Sequence, residues 1–509
     1  MSKQMKLVMY DIRGIQDYIF KTPKLKDAVG ASFIVENIIF EALQYAVESC
    51  KNSFEQDFSV DLEWENEDGA IPYDGNPKDI QVLYIGGGNA FVLMNDENGL
   101  CLEINKRMSK YVLEHTYSLQ LAIAICDKTQ NYHADYTNIH QEMTRRKATM
   151  PEAKPLNALP IMRVEYATGL PVEQEEESTE TLLKQEATKK LRKGMNKDEN
   201  YFDHYVSEKG VDSTLAVVHI DGNNMGIRIR QLIEDISDYT EAVNQMREIS
   251  HNITISYKQT FEEVQRIFNK YEAYSVLKVL VAGDDITYVC KGKFAVATVE
   301  YFVNSITKKS MKGQHGDEEI AQYGFSVCAG IAYMRSHFPF SIAYDVAELC
   351  CESAKDRAKK AENMVAGKVG NFFDFQFCKN VQTRDMDSIR ENEYFDAEKN
   401  QLMIRPYEIG GDDSKEFAFE NLRKNIKGFS CESTMPRSHA KKLRNLYSQG
   451  PNMLNSFVSF LESRDFQMPD GTLDMYCEGK AKFYDALELL DDYIDLSEIE
   501  NKGGRHNEV

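Results

Sequence analysis

The chain has 509 residues, of which 42% are hydrophobic and 28% charged, and it carries a net charge of −21. That length exceeds one ordinary domain and predicts two to four, while the acidity excludes a free-standing protein that grips nucleic acid through a broad basic face and leaves room only for a local basic pocket or a basic partner subunit. No apolar run reaches the roughly 18 residues that a membrane span needs, so none is expected.

The first residues, MSKQMKLVMYDI, pass straight into a strand pattern over about 6–12, with Asp11 near its end and no signal peptide before it. RGIQDYIFKTPKLKDAVGAS reads as a turn region containing Gly and Lys, followed by a helix over about 31–47. Residues 51–79 are polar and irregular and read as an inserted loop. VLYIGGGNAFVLMN, at about 82–95, reads as strand, glycine turn and strand. A helix over about 100–115 and a strand over about 119–126 follow. From 127 to about 212 charges dominate, and this stretch reads as a connector with some helix. Its opposite-sign blocks, Glu173 to Glu177 and Lys184 to Lys193, read as solvated surface.

A second pattern begins with TLAVVHID, a strand ending on Asp221, followed by Gly222-Asn223-Asn224 and two helical stretches over about 227–271. Two β-branched runs, about 276–281 and 286–289, flank Ala282-Gly283-Asp284-Asp285, the signal of a β-hairpin. A helix over about 294–309, a strand over about 325–334 and a helix over about 342–360 carrying Lys355 complete the pattern. The last third, about 381–495, reads mostly helical, with a short extended piece, LMIRPYEI, near its start. Ten scattered cysteines contain no CxxC pair. Together with the missing signal peptide this predicts reduced thiols in a cytoplasmic protein without a zinc finger.

The order β-α-β-β-α-β thus occurs twice, the ferredoxin-like arrangement. Gly86-Gly87-Gly88-Asn89 stands where Ala282-Gly283-Asp284-Asp285 stands in the second copy, and Asp11 where Asp221 stands. The expected class is α+β: two ferredoxin-like domains, a linker and a helical C-terminal domain. In this fold the end of the first strand lies beside the central hairpin, which brings Asp221 next to Asp284 and Asp285. Like charges so close repel unless a cation neutralises them, and Mg²⁺ or Mn²⁺ is the hard cation that suits carboxylate oxygens. Gly-Asp-Asp is also ordinary turn chemistry, so the hairpin alone leaves both readings open. Gly222-Asn223-Asn224 opens a helix whose N–H groups suit phosphates. Lys355 fits either a triphosphate counter-charge or a surface lysine. The first copy has no acid on its hairpin; Gly86, Gly87 and Gly88 permit close approach of a second nucleotide or simply make a structural turn.

These motifs resemble the Cas10 family, the large cyclase-like subunit of type III CRISPR effector complexes (Csm1/Cmr2 type). The matching stretches are DIRGIQDYIF, KLKDAVGASFIVENI, YIGGGNAFVL, VVHIDGNNMG, VLVAGDDITYV and SVCAGIAYMRSHFPFSIAYDVAELCCESAKDRAK, together with LMIRPYEI. The resemblance implies a first palm domain over 1–130, a linker domain over 131–212, a catalytic second palm over 213–380 and a helical C-terminal domain over 381–509. It also implies a metal-dependent nucleotidyltransferase that uses ATP, with Asp221, Asp284 and Asp285 as metal ligands and catalytic residues. Gly222, Asn223, Asn224, Gly283 and Lys355 would bind nucleotide beside them. Expected partners are the other type III effector subunits with crRNA and target RNA. The product is cyclic oligoadenylate or, since some relatives join ATP to S-adenosylmethionine, an AMP conjugate. The pattern departs from the family in three ways. The chain starts on the palm and has no His-Asp dipeptide, which implies the form without the HD nuclease. The family's cysteine zinc site is missing. Its Gly-Gly-Asp-Asp reads Ala282-Gly283-Asp284-Asp285. A stand-alone nucleotide cyclase leaves the first palm unexplained, and a non-catalytic scaffold leaves the intact acids unexplained.

Overall fold

The computed structural model describes residues 5–52, 57–86, 88–150, 159, 161–205, 214–313, 317–360, 364–365, 368–379, 386–431 and 435–504. Gly87 lies outside the described residues.

The first unit starts with β1 (Met5–Arg13), α1 (Ile15–Phe20) and α2 (Leu25–Lys51). A short β2 (Val60–Asp61) precedes the hairpin of β3 (Ile80–Gly86) and β4 (Asn89–Asn95). Next come α3 (Leu100–Thr116), β5 (Gln120–Asp127) and α4 (Tyr132–Thr149). The strands order as β2-β3-β4-β1-β5. The antiparallel pairing of β1 with both β4 and β5 is the ferredoxin-like pattern. Strands form where apolar residues run together: Leu7, Val8, Met9 and Tyr10 are all buried.

The region expected to be a turn before 31 is largely helical. Ile15–Phe20 forms α1, and α2 begins at Leu25. The lysines at 24 and 26 mask an apolar face, since Leu25, Ala28 and Val29 are buried. That face receives α5 (Thr179–Gly194) from the connector. The contact runs through Gly30, where a Cβ would stand 2.0 Å from the Lys184 carbonyl oxygen. The expectation that Lys184 belongs to a solvated charge block is therefore wrong. Its side chain is fully buried, with Nζ 2.7 Å from Glu180 Oε1 and 2.6 Å from the Tyr18 carbonyl oxygen. Burial of this lysine is tolerable only because both charge and hydrogen-bond partners are supplied.

The second unit repeats the order with β6 (Thr214–Gly222), α6 (Met225–Glu234), α7 (Tyr239–Tyr271), β7 (Val276–Ala282) and β8 (Asp285–Lys291). It continues with α8 (Ala295–Ile306), α9 (Asp317–Tyr323), β9 (Val327–Arg335) and α10 (Phe340–Ala358). Two further strands, β10 (Asn371–Phe377) and β11 (Tyr407–Ile409), extend the sheet to β7-β8-β6-β9-β10-β11. The long α7 starts on a side-chain cap, the Glu241 N–H donating to Asp238 Oδ1 at 2.8 Å. Helices α11 (Met386–Glu393), α12 (Phe419–Ser430), α13 (Arg437–Tyr447), α14 (Pro451–Glu462), α15 (Tyr484–Leu489) and α16 (Leu496–Gly504) make the C-terminal part.

The two palms face each other reciprocally: α2 packs on β7 and α7 packs on β3. Arg247 on α7 is buried and donates to the carbonyl oxygens of Ile71, Val82 and Leu83 at 2.6–2.8 Å. Phe20 on α1 stacks on Tyr344 on α10, with centroids 3.5 Å apart. The core is continuous through both sheets and into the C-terminal helices.

Candidate active site

The β7–β8 hairpin turns through Gly283 and Asp284, between the paired Ala282 and Asp285. Gly283 has φ 66°, a conformation that favours glycine. The neighbouring strand pairs Ile220 with Ile286, so Asp221 stands across from Asp285. Gly222 then brings its backbone against the turn. A Cβ there would lie 2.7 Å from Asp284 Oδ2 and 2.9 Å from the Tyr257 hydroxyl oxygen. Glycine at 222 is thus the residue that lets the Asp284 carboxylate approach the end of β6.

The electrostatics are those of three acids sharing one corner. Burial first, and the Asp221 charge second, push the Asp284 carboxyl up to about 7. Asp285 is pushed up to about 8 by burial, then by Asp221, Asp284 and Glu348. Lys355 on α10 pairs with Asp221. Burial opposes its charge, but Asp221 outweighs burial, and the ammonium is held above its usual value. His219, two residues before Asp221 on β6, is buried and lowered to about 4 by desolvation, so it is neutral near pH 7. Its Nδ1 lies 3.1 Å from Thr287 Oγ1 and 3.5 Å from Asp285 Oδ1.

Among the described residues no group of three or more His, Cys, Asp or Glu side chains is drawn together as a closed ligand set. Three carboxylates repel one another, and Lys355 occupies the Asp221 carboxylate instead. The residues nonetheless fit a hard divalent cation. Their donors are carboxylate oxygens, and Asp285 Oδ1 is buried without a hydrogen-bond partner among the described residues. A buried carboxyl oxygen left without a donor suits a cation, which would favour its ionised form.

The remaining sequence candidates fall in two places. Asn224, at φ 56°, is the N-cap of α6, next to Gly222. Asn223 is buried, its N–H donating to the Ser326 carbonyl oxygen at 2.9 Å and its Nδ2 to the Gly370 carbonyl oxygen at 3.2 Å. It therefore anchors the turn to the sheet. Gly86 and Gly88 lie in the first palm. A Cβ at Gly88 would stand 2.9 Å from Ile15 Cδ1, and one at Gly86 would stand 3.9 Å from Thr254 Oγ1 of α7.

Three residues went unnoticed in the sequence. Lys147 on α4 places Nζ 2.6 Å from Asp11 Oδ2, repeating in the first palm the pair of Lys355 with Asp221. Glu348 on α10 faces Asp285 electrostatically and hydrogen-bonds Gln16 of α1. Its spacing of two helical turns before Lys355 was the available signal. His219 is the third. A cleft of about 870 Å³ opens between the palms, lined by Gly14, Gln16 and Tyr18 on one side and Tyr344, Asp345 and Glu348 on the other.

Residues 214–365 match the family model of the Cas10/Cmr2 second palm domain. No curated protein matches the chain. A chain of the Csm1–Csm4 cassette in complex with cA4 superposes with a TM-score of 0.53 at 12% identity, covering 98% of this chain and 69% of that one. A chain of the cassette in complex with one ATP gives 0.53 at 13% identity, covering 97% and 70%. Csm1 in T. onnurineus gives 0.52 at 13% identity, covering 96% and 69%. The fold is shared along nearly the whole chain, and the two sheets with their helical parts are the two palms and helical regions of that fold. Residues 214–365 are thus a second palm of the Cas10/Cmr2 kind, set within the fold shared with Csm1.

Proposed function

We propose that the chain is the signal-generating subunit of a type III CRISPR RNA-guided effector complex. In this reading it is a metal-dependent nucleotidyltransferase that makes cyclic oligoadenylate from ATP, or an AMP conjugate with S-adenosylmethionine, when target RNA is recognised. The observation that carries the reading is the meeting of Asp221, Gly222, Asp284 and Asp285 at one sheet end, in a segment that matches a Cas10/Cmr2 palm. The Csm1–Csm4 cassettes in complex with ATP and with cA4 support ATP as the substrate and a type III subunit as the partner. We divide the chain into a first palm over 1–130, a linker over 131–212, a catalytic palm over 213–380 and a helical domain over 381–509.

Mg²⁺ or Mn²⁺ held by Asp221, Asp284 and Asp285 would activate an attacking hydroxyl and neutralise the leaving pyrophosphate. The rest falls to the chain. Gly222 clears the space beside Asp284 that a side chain would fill. The first N–H groups of α6, after Asn224, point a positive helix end at an incoming phosphate. Lys355 leaves Asp221 to meet the triphosphate, which replaces one anionic partner by another. Gln16 and Tyr18 of the first palm close the cleft opposite Glu348 and orient the acceptor. The Gly86–Gly88 turn gives the first palm a second, metal-free nucleotide position.

Mass spectrometry of products from labelled ATP, with and without S-adenosylmethionine and target RNA, tests this reading. A new adenylylated species that depends on divalent metal is expected. ATP left unchanged by the assembled complex in the presence of target RNA would refute it.

A further inference from the structure

A second large cavity, of about 960 Å³, lies at the far end of the catalytic sheet. Thr214, at the start of β6, lines it, whereas Asp221 ends the same strand, roughly 20–25 Å away by strand rise. The ends of β8, β9 and β10 form one wall and α13 the other. Seven Lys or Arg residues line it against four Asp or Glu, a local excess of positive charge on a chain of net charge −21.

Ion pairs take up part of that charge: Lys379 Nζ lies 2.9 Å from Glu393 Oε2 and Arg444 Nη2 lies 3.3 Å from Glu488 Oε1. Glu272 is shared by Lys291 at 2.8 Å and Lys293 at 2.7 Å. Asp491 is shared by Arg437 and by Lys441 at 2.8 Å. Asp491 thus faces two cations of α13. Lys441 stays 57% exposed, which is compatible with a further anion.

The second observation is Tyr333. Its side chain is 1% exposed and lines the cavity, yet its hydroxyl has no hydrogen-bond partner among the described residues. A buried unsatisfied hydroxyl costs on the order of 1–3 kcal/mol. The ring is fixed by stacking on Phe377 at 4.5 Å, so the hydroxyl cannot turn away to find a partner. A water would satisfy the phenol but not the surplus charge. An anion with several acceptor oxygens satisfies both.

We propose that this cavity is a second binding site, for a phosphate-bearing ligand held by Lys293, Arg437 and Lys441, with the Tyr333 hydroxyl donating to a phosphate oxygen. The volume accommodates a nucleotide. The same phosphates are carried by a free nucleotide and by an RNA strand.

Equilibrium binding to the full chain in EDTA separates this site from the metal-dependent one. The probes are inorganic triphosphate, ATP and a 5′-phosphorylated RNA decamer. Wild type and D284A/D285A are expected to bind alike. K293Q/K441Q should weaken binding at least tenfold and flatten its salt dependence. Y333F, which removes only the unsatisfied hydroxyl, should weaken it several-fold while the ligand-free melting temperature stays at or above that of wild type. Binding of ATP and triphosphate identifies a nucleotide as the source; binding of the decamer alone identifies the RNA strand. Absence of binding by all three probes, or wild-type binding by both K293Q/K441Q and Y333F, overturns the proposal.

Discussion

Lys147 makes with Asp11 in the first palm the ion pair that Lys355 makes with Asp221 in the second. Each lysine sits on the helix after the last strand of its repeat, and each acid at the end of the first strand. The duplication thus extends from the order of elements to a charged pair, while the hairpin acids belong to the second copy alone. Both pairs are partly exposed, and such pairs contribute about 0–1 kcal/mol. K147A and K355A are therefore expected to leave the melting temperature within about 2 °C of wild type. Steady-state kinetics should separate them: K355A lowers kcat by about tenfold or more, and K147A acts mainly on KM for ATP. Equal and negligible effects of both would detach the pair from nucleotide binding.

The acids set a pH dependence of stability. Asp284 and Asp285 titrate near 7 and near 8 in the folded protein, against about 4 when unfolded. Between these limits the folded state holds protons that the unfolded state has released, so metal-free stability falls as pH rises from about 4 to 8. Thermal melting of the metal-free protein across that range should show the decline. D284N/D285N should flatten it and raise the melting temperature at pH 8. Added Mn²⁺ should restore wild type and not the variant. A wild type whose melting temperature climbs through this window contradicts the clustered-acid description.

Gly222 is the steric gate to the same corner. A Cβ would meet Asp284 Oδ2, Met225 Cγ and the Tyr257 hydroxyl oxygen, each within 2.9 Å. G222A is expected to fold, because the atoms met are the ends of the Asp284, Met225 and Tyr257 side chains rather than backbone and can move aside. It should lose activity by about a hundredfold, the scale of a misplaced catalytic group. Circular dichroism and product assays on the same preparation check both halves.

Arg247 ties the palms together. It donates to three carbonyl oxygens of the first palm, spread over Ile71, Val82 and Leu83. R247M should destabilise the chain by roughly 3–5 kcal/mol, the scale for removing one partner from a buried charged network. R247K should not rescue it, because an ammonium cannot reproduce the planar fork. Denaturant unfolding measures both.

The fold was legible where local pattern decides. Continuous apolar, β-branched runs and the two tight turns at 86–89 and 282–285 mark both hairpins, and the strand ending on Asp221 places it beside Asp285. What stayed hidden was settled by distant neighbours. The α2 start at Leu25 depends on α5 covering a face that Lys24 and Lys26 disguise. Glu180 and Lys184 look like a solvated i,i+4 pair until Tyr18 and α2 close over them. Lys147, Glu348 and His219 acquire meaning only when Asp11 and Asp285 arrive from other strands, since a charge on a helix face does not name its partner.

The most direct test of the central claim is product formation from labelled ATP and Mg²⁺ by the assembled complex, comparing wild type with D284A/D285A. Wild type is predicted to release an adenylylated nucleotide, and the variant none while assembling normally. Undiminished product from the variant would contradict the assignment of Asp284 and Asp285 as the metal-binding acids.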